Sequence, residues 1–201
     1  MLVKLKGKSM AFSGGRAEFL KEAVHKVTNI PGDFVECGVW RGGNCMLMAT
    51  ELQKMGQNRK IWLYDTFEGM PKPGEHDVKF DGKKAKDIWY EDWCRASLSD
   101  VEKNMVSTGY TNWICIVGDV LKTIPKNTPK QIALLRLDTD FYESTKHELI
   151  HLYPLLEKDG VLIIDDYHSW QGSRKACDEY FNGKQLTRIG TSNAAYLVKN
   201  E

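Results

Sequence analysis

The sequence predicts an α/β fold, a mostly parallel sheet with helices on both faces and an antiparallel hairpin at the C-terminal end. Three observations point there. Strand-like and helix-like segments alternate along the chain, and several strands are continuously apolar, as expected where a sheet is covered on both faces. Two of those apolar runs also finish in paired aspartates, LLRLDTDFYEST at 134–145 and VLIIDDYHSW at 161–170. With 201 residues, 42% hydrophobic and 27% charged, the chain suits one domain, 1–201, with room for a sizeable core.

The elements are justified in chain order. Residues 1–32 form an N-terminal helical segment: after a polar, Gly-containing start, Phe19, Leu20, Ala23, Val24 and Val27 fall on one face of a helix over Arg16 to Thr28, which Pro31-Gly32 stops. DFVECGV (33–39) reads as a strand entering a Gly-rich turn, and Asn44 to Met55 as the next helix. KIWLYD (60–65) is the second strand. From Thr66 to Trp93 the sequence has no clear period and is too long for a simple connector. Loops of such length are usually functional or mobile, so 68–95 is a candidate lid. Ser97 to Ser107 reads as a helix capped by Ser97 or Ser99. WICIVGD (113–119) and QIALLRLDTD (131–140) are strands, Ser144 to Leu156 a helix and GVLIIDD (160–166) a fifth strand. Ser173 to Phe181 makes the last helix, before a hairpin of QLTRIG and AAYLVK. No internal repeat or low-complexity stretch is present.

Composition excludes several classes. The 28 Lys plus Arg balance 27 Asp plus Glu, which gives no warrant for a nucleic-acid or membrane-surface partner, and Lys83-Lys84-Ala85-Lys86 reads as a solvated loop. The five cysteines, at 37, 45, 94, 115 and 177, form no C-x-x-C pair and lie mostly in apolar runs, so they read as buried thiols of a reducing cytoplasm. No apolar stretch reaches the roughly 18 residues that span a bilayer, and the start lacks a signal-peptide core. The expected location is cytoplasmic.

Residues two apart on a strand project to one side, so Asp138 and Asp140 face one space at the carboxyl end of theirs. A crossover through the following helix puts the next parallel strand about 5 Å away and brings Asp165 and Asp166 toward Asp138. Carboxylates so gathered repel unless a cation neutralises them. An all-oxygen set without Cys or His suits magnesium, manganese or calcium rather than zinc. The competing reading makes these aspartates helix caps and solvated strand ends, with Arg136 as a local ion partner.

VECGVWRGGN follows the first strand and opens a helix, where a parallel sheet admits a ligand against backbone N–H groups. It lacks the G-K-[ST] of a triphosphate loop and does not match G-x-G-x-x-G. The spacing Glu36-x-Gly38-x-x-x-Gly42 resembles the first motif of S-adenosylmethionine methyltransferases. Asp65, ending the second strand, is the acid expected at ribose hydroxyls, and Gly118-Asp119 ends the third where an adenine would lie. Solvated turn acids are the alternative for Asp65 and Asp119.

Together, PGDFVECGVWRGGN, YDTFEGMP, GDVLKTIP, LLRLDTDFYESTKHELIHLYPLLEKDGVLIIDDY and QGSRKACDEYF resemble, in order from about Pro31 to Phe181, the macrocin O-methyltransferase (TylF-type) family. That resemblance implies a class I methyltransferase, Rossmann-like fold, S-adenosylmethionine as donor, Mg2+ or another hard divalent cation, and a sugar or glycoside hydroxyl in a natural product as acceptor. It also implies roles by position. Asp138, Asp165 and Asp166 become metal ligands and Asp140 the general base. Glu36, Gly38, Trp40, Arg41 and Gly42 surround the methionine end of the donor, Asp65, Thr66 and Phe67 the ribose, and Ser97, Gly118 and Asp119 the adenosine. The segment ahead of the first strand is shorter than in members acting on macrolide or aminocoumarin sugars, where it helps form the acceptor pocket and subunit contacts. A homo-oligomer stays open, as does the acceptor. His168 stands where the family often has a small residue and is a further candidate for touching substrate.

Two other classes of function remain. Asp138-Thr139-Asp140 also fits the Asp-x-Asp template of a metal-dependent glycosyltransferase, although the Glu36 to Gly43 turn, the second aspartate pair and the closing hairpin disfavour it. A non-catalytic cofactor-binding subunit is the other.

Overall fold

A computed structural model describes residues 15–200. The polar start of the N-terminal segment, 1–14, lies outside the described residues. Among those described, seven helices and seven strands run in the order α1 (Arg16–Lys26), β1 (Asp33–Cys37), α2 (Gly43–Lys54), β2 (Ile61–Asp65), α3 (Ala85–Ile88), α4 (Leu98–Ser107), β3 (Trp113–Val117), α5 (Val120–Thr123), β4 (Ile132–Leu137), α6 (Tyr142–Leu152), β5 (Leu156–Ile164), α7 (Gln171–Tyr180), β6 (Thr187–Arg188) and β7 (Ala195–Val198). The strands form one sheet, β3-β2-β1-β4-β5-β7-β6. The first five are parallel, β7 runs antiparallel to β5, and β6 antiparallel to β7. The sheet is the mostly parallel one expected, closed by the expected antiparallel pair.

Alternation along the strands divides the core into two layers. Phe34, Leu134 and Ile163 look toward Leu20, Met48, Leu52 and Met105 of α1, α2 and α4. Val35, Leu135 and Leu162 look toward Leu149, Leu152 and Cys177 of α6 and α7. Chain direction through the sheet reverses between β1 and β4, because β1 leads outward to β2 and β4 outward to β5. The crevice at such a switch point opens at the carboxyl ends of the strands, where parallel α/β sheets take their ligands.

Several boundaries differ from expectation. The helix α6 starts at Tyr142 and gives way to a 3-10 turn over Tyr153–Leu155, with Pro154 in its first turn. The fifth strand already begins at Leu156. Glu157 to Asp159, ahead of the expected strand, belong to it as an irregularity where Asp159 takes φ 63° and the register with β4 shifts. A one-turn helix capped by Asp119, α5, had no periodicity to announce it. All five cysteines are free, but Cys94 is exposed and Cys115 half-buried, so the expectation of uniformly buried thiols is corrected. No helix among the described residues is long and apolar enough to cross a membrane.

Candidate functional site

The Gly-rich turn leaves β1 at Cys37 and enters α2 at Gly43. Gly38 adopts φ 77°, and a β-carbon there would sit 2.1 Å from the carbonyl oxygen of Asp138, so the turn after β1 lies directly against the turn after β4. Only glycine permits both the conformation and the approach. Trp40 (φ 48°) and Gly42 (φ 76°) complete the left-handed path, and Gly42 N–H donates to Val39 O at 2.7 Å.

Asp65 ends the neighbouring β2 and grips this turn. Its Oδ2 accepts from the amides of Val39 (2.9 Å) and Trp40 (3.0 Å), and its Oδ1 from Phe67 (2.8 Å). A carboxylate offers about four lone-pair sites, so most of those of Asp65 are used by the backbone of the turn and of its own strand end. Glu36, fully buried, likewise faces protein: Asn44 and Arg136 donate to Oε1, and the Cys45 thiol to Oε2. Burial pushes its carboxyl up against the opposing pull of Arg136. It therefore braces the start of α2 from below.

The other residues expected around a donor lie along the same edge. The amide of Gly118 bonds Asp65 O at 2.9 Å, setting the ends of β2 and β3 side by side. Asp119 spends Oδ1 on the Leu121 amide as the cap of α5, and Ser97 accepts from Asp100 as the cap of α4. From α4, Asn104 donates to Arg41 O at 2.9 Å and Val101 packs on Gly42. The guanidinium of Arg41 lies over the Trp40 ring. Thr66 turns its hydroxyl to Gly69 O, and Phe67 is buried.

The aspartates converge because β4 and β5 pair in parallel as far as Leu137 and Ile164. Asp165 N–H bonds Leu137 O and Asp138 N–H bonds Cys37 O, both at 2.9 Å. Asp138, Asp165 and Asp166 each offer an oxygen, all within 4.8 Å of one another. Arg136 threads between Glu36 (2.6 Å), Asp138 (2.7 Å) and Asp165, while Arg16 from α1 reaches the other oxygen of Asp165. Arg136 is thus the local ion partner expected for these acids, but it does not reach Asp166, whose Oδ2 is buried without a partner among the described residues.

Five carboxyls, Glu36, Asp138, Asp140, Asp165 and Asp166, share this region with two guanidiniums. Burial pushes the Asp138 and Asp166 carboxyls well above the usual range, and the nearby acids add to it against Arg136. Asp140 takes φ 62° and receives the Trp170 indole N–H at 2.8 Å. Burial, then the charge of Asp138, pushes it up to about 7. The excess of acid, the all-oxygen donors and the orphaned Asp166 oxygen fit a hard divalent cation.

The 68–95 segment docks on the start of α6 and on Trp170. Asp77, buried in the 68–95 segment, accepts from Gly74 N–H (2.6 Å) and from Tyr142 N–H (2.8 Å), the latter in the first turn of α6. Gly172 leaves room for it, since a β-carbon there would lie 2.4 Å from Asp77 Oδ1. Lys79 bridges to Trp170, and Trp93 and Phe141 pack on the same indole. The segment is therefore fastened to the residue that holds Asp140. Cys94 is exposed, yet partial desolvation of its thiol, and then the charges of Asp140, Asp138 and Asp166, push it up to about 11. His168 Nε2 is buried without a partner among the described residues.

A cavity of about 660 Å³ lies elsewhere, at the amino ends of the strands among Pro31, Asp33, Arg59, Trp62 and Gln131, and holds none of these acids. Arg16, Asp77 and Trp170 were not foreseen from sequence. Their partners are far along the chain and no local pattern marks them.

The sequence profile of the macrocin-O-methyltransferase (TylF) family matches residues 7–191. Demethyldecarbamoylnovobiocin O-methyltransferase of Streptomyces niveus is 35% identical over 178 residues, covering 82% of this chain and 64% of that protein. Mycinamicin III 3''-O-methyltransferase of Micromonospora griseorubida is 34% identical over 155 residues, 75% of this chain and 61% of that one. The chain thus spans less than two thirds of the length of either relative. Among solved structures, the O-methyltransferase NovP superposes with a TM-score of 0.81 at 32% identity, over 92% of this chain and 80% of that one. The calicheamicin methyltransferase CalS11 shares the fold at a TM-score of 0.72 and 20% identity, over 90% and 77% of the two chains.

Proposed function

The chain belongs to the macrocin O-methyltransferase (TylF) family, and from that premise we propose that it methylates a hydroxyl of a sugar or sugar-bearing natural product, with S-adenosylmethionine as donor. The observation that carries this reading is the contact of Gly38 with Asp138: the turn suited to a donor and the acids suited to an acceptor are two sides of one crevice. The relatives are O-methyltransferases named for demethyldecarbamoylnovobiocin, mycinamicin III and a rhamnosyl-tetracenomycin, and these names support the acceptor class.

Within that reading each group has a task. Gly38 to Gly42 orient the donor against the start of α2, and Asp65 holds that turn in shape beside the donor ribose. S-adenosylmethionine supplies an electrophilic methyl on a sulfonium, and alignment of the acceptor oxygen with it accounts for much of the acceleration. Asp138, Asp165 and Asp166 are the residues that would hold a divalent cation, which supplies stabilisation of a hydroxyl as it loses its proton. Asp140, oriented by Trp170, accepts that proton as general base. The 68–95 cover and Trp170 exclude water from one side of the crevice. A cytoplasmic location and a single domain complete the reading. A glycosyltransferase is disfavoured by the family membership.

Calorimetric titration with S-adenosylhomocysteine, and a labelled-methyl assay on a panel of deoxysugar glycosides with and without magnesium, test it. Failure to bind the donor product overturns the methyltransferase reading, and undiminished turnover in chelator removes the cation. The variant D140N should keep donor-product binding and lose kcat by about 10²–10⁴-fold; an active D140N overturns the assignment of the base.

A further inference from the structure

Glu148 lies in the middle of α6 and is fully buried. Such a carboxyl normally has a cation beside it, and among the described residues this one has none. Its Oε2 receives the hydroxyl of Thr139 at 3.1 Å, and its Oε1 has no hydrogen-bond partner among the described residues. The Cys37 thiol is its other polar neighbour. The remaining titratable group facing it is the Cys177 thiol from α7, whose own ionisation burial opposes. Arg136 alternates onto the opposite face of the sheet, with Glu36. From α5, packing on α6 brings the Ile124 carbonyl to His147 and no charge to Glu148.

Thr139 and Cys37 matter through their places in the chain. Thr139 separates Asp138 from Asp140, and Cys37 immediately precedes Gly38. One buried carboxyl therefore touches the root of both turns that meet across the crevice. We propose that Glu148 is a positioning residue: as a neutral acid it holds Thr139 and Cys37 together, fixing the Gly38 turn against the Asp138–Asp140 turn, and on ionisation it draws water in between them. The neutral form receives the Thr139 hydroxyl at Oε2 and keeps its own proton on Oε1. A charge at this place has no counter-ion, so solvating it requires the two turns to separate. Burial accordingly pushes the Glu148 carboxyl up to about 8.

The kinetic part rests on the methyl-transfer reading; the stability part does not. In the ligand-free protein, the Glu148 contribution to stability declines as pH rises from the ordinary carboxylate range to about 8, then levels, because only the unfolded chain releases its proton in that interval. The variant E148Q, isosteric with the neutral acid, should show a shallower fall of the thermal midpoint between pH 7 and 8 than the parent. In turnover, the parent should lose kcat above about pH 8 with little change in KM for the donor. E148L should lose kcat at every pH by roughly ten- to a hundredfold, the scale of a misplaced reacting group. E148Q should restore part of that loss and carry no fall near pH 8. An E148Q enzyme with the parental alkaline fall and parental midpoint slope overturns the proposal, as does E148L with parental kcat. If no acceptor is turned over, the methyl-transfer reading is what fails, and the midpoint slopes of parent and E148Q decide this one. The same comparison decides it if E148L does not fold.

Discussion

The carbonyl oxygen of Asp138 occupies the place a β-carbon on Gly38 would need, 2.1 Å away, so two turns 100 residues apart in sequence share one wall. The G38A variant must both strain a left-handed backbone, at about 1–3 kcal/mol, and push the Asp138 turn aside. Its affinity for S-adenosylhomocysteine should fall at least about tenfold by calorimetry, with a lowered thermal midpoint. Parental affinity would show that the contact does not shape the crevice.

Arg136 is the common partner of Glu36, Asp138 and Asp165. Its replacement in R136M strands buried acids, a loss of about 3–5 kcal/mol in urea unfolding. R136K should recover little of it, since an ammonium cannot make the forked contacts of a guanidinium.

Asp166 gives a test of the cation that needs no turnover. Its carboxyl is pushed well up by burial, then by Asp140 and Asp165, so in metal-free buffer D166N should be at least as stable as the parent. Magnesium at a hundredfold excess over its dissociation constant should stabilise the parent by about 2.7 kcal/mol and D166N much less. Two melting curves that never change order with magnesium would remove Asp166 from the cation's ligands.

Asp77 fastens the cover. In D77A the buried amide of Tyr142 loses its acceptor, at about 1–3 kcal/mol, while the amide of exposed Gly74 turns to water. Limited proteolysis should then cut within 68–95 well before the parent is cut, while affinity for S-adenosylhomocysteine stays within about twofold, the sites being independent.

The approach of Asp138 to the Asp165-Asp166 pair was legible in the sequence because it needs only strand periodicity and a crossover between neighbours, whereas bringing both members of that pair inward also needs the chain to turn out of the sheet after β5. Gly38 was legible for a similar reason, since a glycine between a strand and a helix marks a tight turn. The neighbouring acids were harder. Glu36 and Asp65 lie beside the Gly-rich turn, yet Asp65 spends its lone pairs on amides of that turn and Glu36 on Asn44, Cys45 and Arg136, which spacing cannot reveal. Trp170 at Asp140, Arg16 at Asp165 and Asp77 at α6 depend on how distant segments dock, and nothing in their local sequence differs from ordinary surface residues. The start of β5 was missed because Asp159-Gly160 carries turn chemistry inside a strand, and pairing with β4 and β7 outweighed it.

The pairing of Arg16 with Asp165 spans 149 residues. At roughly 5–20 residues per second on the ribosome, the guanidinium emerges on the order of ten seconds before the carboxylate it meets. The acidic crevice therefore acquires its full charge balance late in translation, once β5 has paired beside β4 and the first helix has a finished surface to close upon.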